Sequence, residues 1–100
     1  MIEPDQCRTM AEVRAGVDAL DDEIVSLLAK RFCFMDAAAR IKPNREQVRD
    51  EPRKAEVIGR AQAGARERGI PDELIARLYD LLIEGSIAYE LAEFDARRNA

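Results

Sequence analysis

Histidine is absent from this 100-residue sequence, and cysteine occurs only as Cys7 and Cys33. Without histidine, the chain lacks the commonest general base and the commonest metal ligand of proteins. Cys7 and Cys33 have no metal-binding spacing. We therefore expect two reduced thiols in a cytosolic protein, and no bound metal.

Aromatic residues make up only 5% of the chain, and β-branched residues are also few. Alanine, leucine, glutamate and arginine are abundant instead, which favours helices. The sequence contains no strand candidate, no repeat and no low-complexity tract. A chain of 100 residues is long enough for one small domain, so the composition predicts a single all-α domain.

Positive charge is also in deficit, with 16 Lys and Arg against 20 Asp and Glu, a net charge of −4. Nucleic-acid-binding proteins usually present a net basic face, so a nucleic-acid partner is not expected. The acidic, polar N-terminus has no apolar segment behind it, and no apolar run is long enough to span a membrane. We expect a cytoplasmic protein without a membrane partner.

An apolar seam runs along the segment from Met10 to Lys42, with members spaced by three, four or seven residues as on one helix face. Arg14, Arg31 and Lys42 fall in the same register. An unpaired cation is costly to bury, so these three predict the wall of a site for a small polyanion. The alternative is that they extend to the surface and pair with nearby acids.

The seam predicts a helix of unusual length. Thr9 is a candidate N-cap, with Glu12 completing a capping box, and no proline interrupts the helix before Pro43. Such a helix would be about 50 Å long, whereas a domain of this size has a radius of gyration of about 13 Å. Arg14 would lie about 26 Å from Arg31 along the axis. An antiparallel second copy would bring them together, which predicts a two-fold homodimer.

The rest of the chain predicts two shorter helices. Asp50 is the candidate N-cap of the second, and Gly69 is suited to the position after its end. The third is expected to fray at Arg97 and Arg98. The predicted organisation is one domain with an irregular lead over residues 1–8 and helices over about 9–41, 50–68 and 72–97.

Four further residues on these helices could contact a ligand. Asp50 and Arg53 stand at the N-terminal end of helix two, where anions are favoured. Ser86 and Glu90 are one turn apart and share a face of helix three. The alternatives are that Asp50 only caps its helix and that Ser86 only bonds back to the preceding turn.

Four segments together resemble the all-helical chorismate mutase family, which includes isochorismate pyruvate lyase. They are VRAGVDALDDEIVSLLAKRF, RIK, VRDEPRK and LLIEGSIAYE, in that order. The resemblance implies an intertwined helical homodimer with two sites, a small dianionic substrate (chorismate or isochorismate), and no cofactor or metal.

The resemblance also implies roles for individual residues. Arg14 matches an arginine donated by the partner chain, and Arg31 and Lys42 match a carboxylate-binding pair. Asp50 matches a hydroxyl-contacting acid, Arg53 matches the arginine of helix two, and Ser86 matches a hydroxyl at a carboxylate. Lys42 is also expected at the ether oxygen of the substrate, together with Glu90, where bacterial members often carry glutamine. Lys54 departs from the pattern, because a glutamate often stands there.

The function implied is the rearrangement of chorismate to prephenate, with Lys42, Glu90 and Arg31 as the catalytic residues. Catalysis would come from holding the reactive conformer and from placing cations beside the ether oxygen. Glu90 could donate to that oxygen only when protonated, so activity is expected to fall as pH rises towards neutral. Two alternatives stay open: elimination of pyruvate from isochorismate to give salicylate, and a non-catalytic helical dimer or regulatory module.

Overall fold

The computed structural model describes residues 2–99, which form three α-helices and two 3-10 turns. The helices are α1 (Met10–Ile41), α2 (Glu51–Glu67) and α3 (Asp72–Arg98), and the turns are Pro4–Gln6 and Arg45–Gln47. Residues 2–99 contain no strand, so the predicted all-α fold with one long N-terminal helix is confirmed. The turn at Pro4–Gln6 lies in the lead that was expected to be irregular.

The predicted capping box starts α1. The Thr9 amide donates to Glu12 Oε1 at 3.1 Å, and the Glu12 amide donates to Thr9 Oγ1 at 3.2 Å. Two amides that have no partner within the helix are thereby satisfied by side chains. This exchange fixes where α1 begins.

The chain divides into two compact units after Phe34, within α1. In the first unit eight large apolar side chains of α1 are exposed, with exposed fractions between 39% and 68%. They are Met10, Val13, Val17, Leu20, Ile24, Val25, Leu27 and Phe34. Of all the residues of α1 only Ala39, which belongs to the second unit, is buried. The first unit thus presents an apolar surface that its own residues do not cover.

The second unit is built on the pairing of α2 with α3. Its buried apolar residues are Ala39, Val48, Ala65, Ile83 and Phe94. The turn between the two helices is closed by amides of residues 69 and 70, which donate to the carbonyls of Arg66 at 3.2 Å and Ala65 at 3.0 Å. This pattern needs a left-handed residue, and Gly69 supplies it with φ +72°.

The end of α3 differs from expectation. The helix continues to Arg98, whose side chain is held by two hydrogen bonds to backbone carbonyls, so the prediction that Arg98 frays was wrong. None of the helices among the described residues is long and apolar enough to cross a membrane.

Candidate active site

Lys42 and Glu90 form an ion pair inside the second unit. The Lys42 Nζ lies 2.8 Å from Glu90 Oε2, and the glutamate side chain is only 5% exposed. Lys42 follows the last residue of α1, and its amide still donates to the Ala38 carbonyl at 2.9 Å. The helix end therefore carries the ammonium to a carboxyl group that α3 buries.

This pair leaves hydrogen-bonding capacity unused. Lys42 Nζ is close to Glu90 Oε2 as a counter-charge, but within residues 2–99 that oxygen is buried without a hydrogen bond. The ammonium also points to the Val48 carbonyl, but at a long 3.5 Å. Buried carboxylate oxygens are normally satisfied, so an open one marks a place where a ligand group could bind.

Ser86 lies on α3 one turn before Glu90, and both residues are buried. The Ser86 hydroxyl donates to the Leu82 carbonyl at 2.7 Å, which is the back-bonding expected of serine within a helix. Residues one turn apart share a face of a helix, so the structure places Ser86 beside Glu90 on α3.

Asp50 and Arg53 make local contacts at the start of α2. Asp50 is the N-cap, and its Oδ1 accepts from the Arg53 amide at 3.0 Å, so the predicted capping is confirmed. The exposed Arg53 guanidinium pairs with Glu56 on the next turn. Because Arg53 is exposed and its partner Glu56 is a surface acid, exchanging this partner for a ligand would cost little.

Lys54 belongs to a separate cluster, which we call the Glu84 cluster (Arg49, Glu51, Lys54, Asp80 and Glu84). The Lys54 Nζ lies 2.8 Å from both Asp80 Oδ1 and Glu84 Oε2. Arg49 donates to both oxygens of Glu84, at 3.0 and 2.6 Å, and to Glu51 at 2.7 Å. The position where a glutamate was expected thus carries a lysine that joins α2 to α3.

Hydrogen bonds within this cluster shift the pKa values of its members. Those from Arg49 and then Lys54 lower the pKa of Glu84 to about 2. Those to Asp80 and then Glu84 raise the pKa of Lys54 to about 12. In each case the partner stabilises the charged form, so Glu84 and Lys54 are both ionised at neutral pH.

Arg14 and Arg31 lie in the first unit. Arg14 is exposed and Arg31 is half-buried. The helical rise keeps them about 26 Å apart, so one chain cannot bring both to one small ligand. Of the seven residues predicted for the site, the structure brings Lys42 and Glu90 into contact and sets Ser86 beside them on α3.

Several contacts in the second unit were not predicted from the sequence. Arg45 pairs with Asp95 through Nε at 2.9 Å and Nη2 at 3.2 Å, and Tyr89 donates to Asp36 at 2.6 Å. Arg98 donates to carbonyls at the end of α1. These partners are at least 50 residues apart in sequence, so no local spacing indicates them.

The fold and this site define a class of protein. It is an all-helical domain with a long first helix, in which a half-buried lysine just after that helix pairs with a buried carboxyl group on α3. A sequence profile of chorismate mutase type II matches residues 13–91. The chain therefore belongs to the chorismate mutase type II family, and the resemblance seen in its motifs is confirmed.

One relative is matched over almost the whole chain. The protein is 26% identical over 97 residues to the isochorismate pyruvate lyase of Pseudomonas aeruginosa, and the match covers 97% of this chain and 96% of that protein. Both comparisons favour an enzyme over a non-catalytic module.

Proposed function

We propose that this protein is a chorismate mutase, which rearranges chorismate to prephenate. The observation that carries the proposal is the pair of the half-buried Lys42 with the buried Glu90, in which a carboxyl oxygen and an ammonium both retain capacity for a further hydrogen bond. Membership in the chorismate mutase type II family supports the same reaction.

The reaction suits a site without a nucleophile. One C–O bond breaks and one C–C bond forms within a single molecule, and negative charge develops on the ether oxygen as the C–O bond breaks. Lys42 would place its ammonium beside that oxygen, and Glu90 would donate to it when protonated. Donors already aligned with developing charge lower the barrier, because they need no reorganisation during the reaction.

The remaining side chains would hold the substrate in its reactive conformer. Arg31, the partner subunit's Arg14 and Ser86 would bind the two carboxylates. Asp50 would accept a hydrogen bond from the substrate hydroxyl, and Arg53 would be a further ligand of the anion. Fixing both ends of a small dianion removes the freedom that otherwise opposes the folded geometry.

A homodimer is part of this proposal. It is supported by the largely exposed apolar side chains that α1 presents in the first unit, since contiguous apolar surface of this kind marks protein interfaces. A second copy, packed antiparallel, would cover that surface and would supply the partner subunit's Arg14 to the site.

A second candidate function is isochorismate pyruvate lyase. It is favoured by the 26% identity to a protein of that name over nearly the full length of both chains. The same cations could serve an elimination, because that reaction also breaks the bond to the ether oxygen.

One assay distinguishes these functions. Purified protein is incubated with chorismate and, separately, with isochorismate, and the products are separated by chromatography. Prephenate from chorismate supports the mutase, salicylate and pyruvate from isochorismate support the lyase, and neither product contradicts both. Lys42→Ala is the control that attributes turnover to this site.

The shared site is tested by mixing variants. Arg14→Ala and Arg31→Ala are each expected to be nearly inactive as homodimers. After they are unfolded and refolded together, half of the dimers formed by random pairing would be mixed and would contain one intact site. Recovery of activity supports the arrangement, and a mixture as inactive as its components contradicts it.

A further inference from the structure

The guanidinium of Arg98 joins the last turn of α3 to the end of α1. Its Nη1 donates to the Ala39 carbonyl at 2.8 Å, and its Nη2 donates to the Lys42 carbonyl at 2.7 Å. Arg98 thus holds the backbone of the residue whose ammonium pairs with Glu90. All of these residues belong to the second unit.

The Ala39 carbonyl needs a donor from outside its own helix. In a continuing α-helix it would accept from the amide of residue 43. That residue is Pro43, which has no N–H. Ala39 is also fully buried, at 0% exposure, so water does not supply the missing hydrogen bond. Arg98 therefore satisfies a backbone acceptor that proline leaves without a partner.

The Arg98 guanidinium is itself oriented by its neighbours. Its central carbon lies 3.7 Å from the ring centroid of Phe94, a buried residue one turn earlier on α3. A planar guanidinium stacked on a ring presents its N–H groups in a fixed fork. This fork matches the carbonyls of Ala39 and Lys42, which are three residues apart. Its positive charge also suits the C-terminal end of α1, where the helix dipole is negative.

The same turn of α3 fixes the segment that follows Lys42. Asp95 accepts two hydrogen bonds from Arg45. Glu90 is on the same helix as Asp95 and Arg98, so α3 carries the carboxyl group and also holds the backbone on both sides of the residue that faces it. Contacts made by α3 thereby help to set the distance between the Lys42 ammonium and the Glu90 carboxyl group.

We propose that Arg98 is a positioning residue for Lys42. By holding the Ala39 and Lys42 carbonyls against α3, Arg98 sets the position of the Lys42 ammonium relative to Glu90. It thereby also sets the position of the ammonium relative to any group that binds beside Glu90. The structural part of this inference stands on the contacts above. Its consequence for catalysis rests on the proposed function.

The structural part is tested by amide hydrogen exchange of the whole protein. Arg98→Ala is expected to speed exchange of the Lys42 amide, which donates to Ala38, at least tenfold. Arg97→Ala removes the same charge from the neighbouring exposed position and is expected to leave that rate unchanged. If Arg98→Ala does not fold, Arg98→Lys serves instead, because it keeps the charge and loses the fork. Unchanged exchange in a folded Arg98 variant would overturn the proposal.

The catalytic part is tested by a double-mutant cycle. Arg98→Ala is expected to lower kcat by up to about 10²-fold, with a smaller change in KM, because a misplaced catalytic group costs rate more than binding. On a Lys42→Ala background the same change is expected to cost less than about threefold, since the residue it positions is gone. An equal loss on both backgrounds contradicts positioning through Lys42.

These experiments separate two kinds of failure. If the wild-type protein converts neither chorismate nor isochorismate, the proposed function fails, and the exchange rate of the Lys42 amide still decides whether Arg98 holds this segment. If the wild-type protein is active and the exchange rate is unaffected by Arg98→Ala, only the positioning role fails.

Discussion

Two ion clusters on α3 lie six residues apart and differ in what they leave open. In the Glu84 cluster both carboxylate oxygens accept hydrogen bonds, and the Glu84 side chain is 38% exposed. At Glu90 the side chain is 5% exposed, and Oε2 has a close cation without a hydrogen bond. The Glu84 carboxylate thus has its hydrogen bonds and lies at the surface, whereas the Glu90 carboxyl group is buried and one of its oxygens has no hydrogen bond.

The difference indicates different roles. Exposed ion pairs contribute little to stability, so the Glu84 cluster mainly fixes how α2 lies on α3. A buried pair pays a desolvation cost that its attraction does not reliably offset. A buried pair with an unused oxygen is therefore poorly explained by stability, and it fits a binding site better. The predictions below test this contrast, from the largest expected effect to the smallest.

The largest effect is expected from removing the lysine that pairs with the buried Glu90. Lys42→Ala should lower kcat for the proposed reaction by about 10²–10³-fold, the usual loss for one donor at developing charge. Lys54→Ala is the matched control, because it removes a lysine of the Glu84 cluster, and its loss should stay within a few-fold. Both are measured by steady-state kinetics, with circular dichroism to verify folding. Equal losses would remove the functional distinction between the clusters.

The next effect is expected from changing the buried carboxyl group. Glu90→Ala removes the group that faces Lys42 and should lower kcat by about 10²-fold, the lower end of the usual loss for one donor. Glu90→Gln keeps a hydrogen-bond donor at this position and should retain most of the rate, whereas Glu84→Gln in the other cluster should leave kcat unchanged. Steady-state kinetics at one pH measure all three variants. A Glu90→Gln variant as slow as Glu90→Ala would contradict the donor role assigned to Glu90.

A smaller effect concerns stability at low pH. The pKa of Glu84 is lowered from 4.5 to about 2, so its stabilising contribution is complete above the ordinary value and disappears as pH falls towards 2. Glu84→Gln should therefore unfold at a lower urea concentration than wild type at pH 7, and the two midpoints should converge near pH 2. Urea titrations followed by circular dichroism measure this. A constant difference across that range would show that charge is not the cause.

The smallest effect is expected from a substitution at Gly85, which lies on α3 between Glu84 and Glu90. Gly85 is exposed on α3, and among the described residues a Cβ there would meet no atom within 4 Å beyond its chain neighbours and the adjacent backbone of α3. Gly85→Ala should raise the free energy of unfolding by about 0.4–1 kcal/mol through a less flexible unfolded chain, with kcat unchanged. Gly69→Ala is the opposite control, since φ +72° disfavours alanine and should destabilise the protein. A loss of activity in Gly85→Ala would indicate that a ligand or a second copy packs on this face.

Local features of the fold could be predicted from the sequence because short spacings determine them. The capping box of Thr9 and Glu12 lies within one turn, and Gly69 suits a left-handed helix end because it has no Cβ. Both depend on residues fewer than six positions apart. The length of α1 follows from a stretch without proline.

The ion partners could not be predicted in the same way. Lys54 was known to depart from the family pattern, but its pairing with Asp80 and Glu84 depends on how α2 is rotated against α3. Arg98 was expected to fray. Its partners could not be predicted, because they are backbone carbonyls and leave no trace in side-chain spacing. The need for such a donor was nevertheless visible in Pro43, which cannot complete the last turn of α1.

The Gly69 turn also has a consequence for the order in which the second unit assembles. It joins groups three and five residues apart, whereas the hydrogen bonds that hold the Lys42 segment on α3 join residues 50 to 59 apart. Closing the longer loops costs more chain entropy and slows folding. We therefore expect the α2–α3 hairpin to form first and Lys42 to arrive late. Until then, Glu90 would remain in contact with solvent, and the protein would bury its carboxyl group only when the counter-charge reaches it.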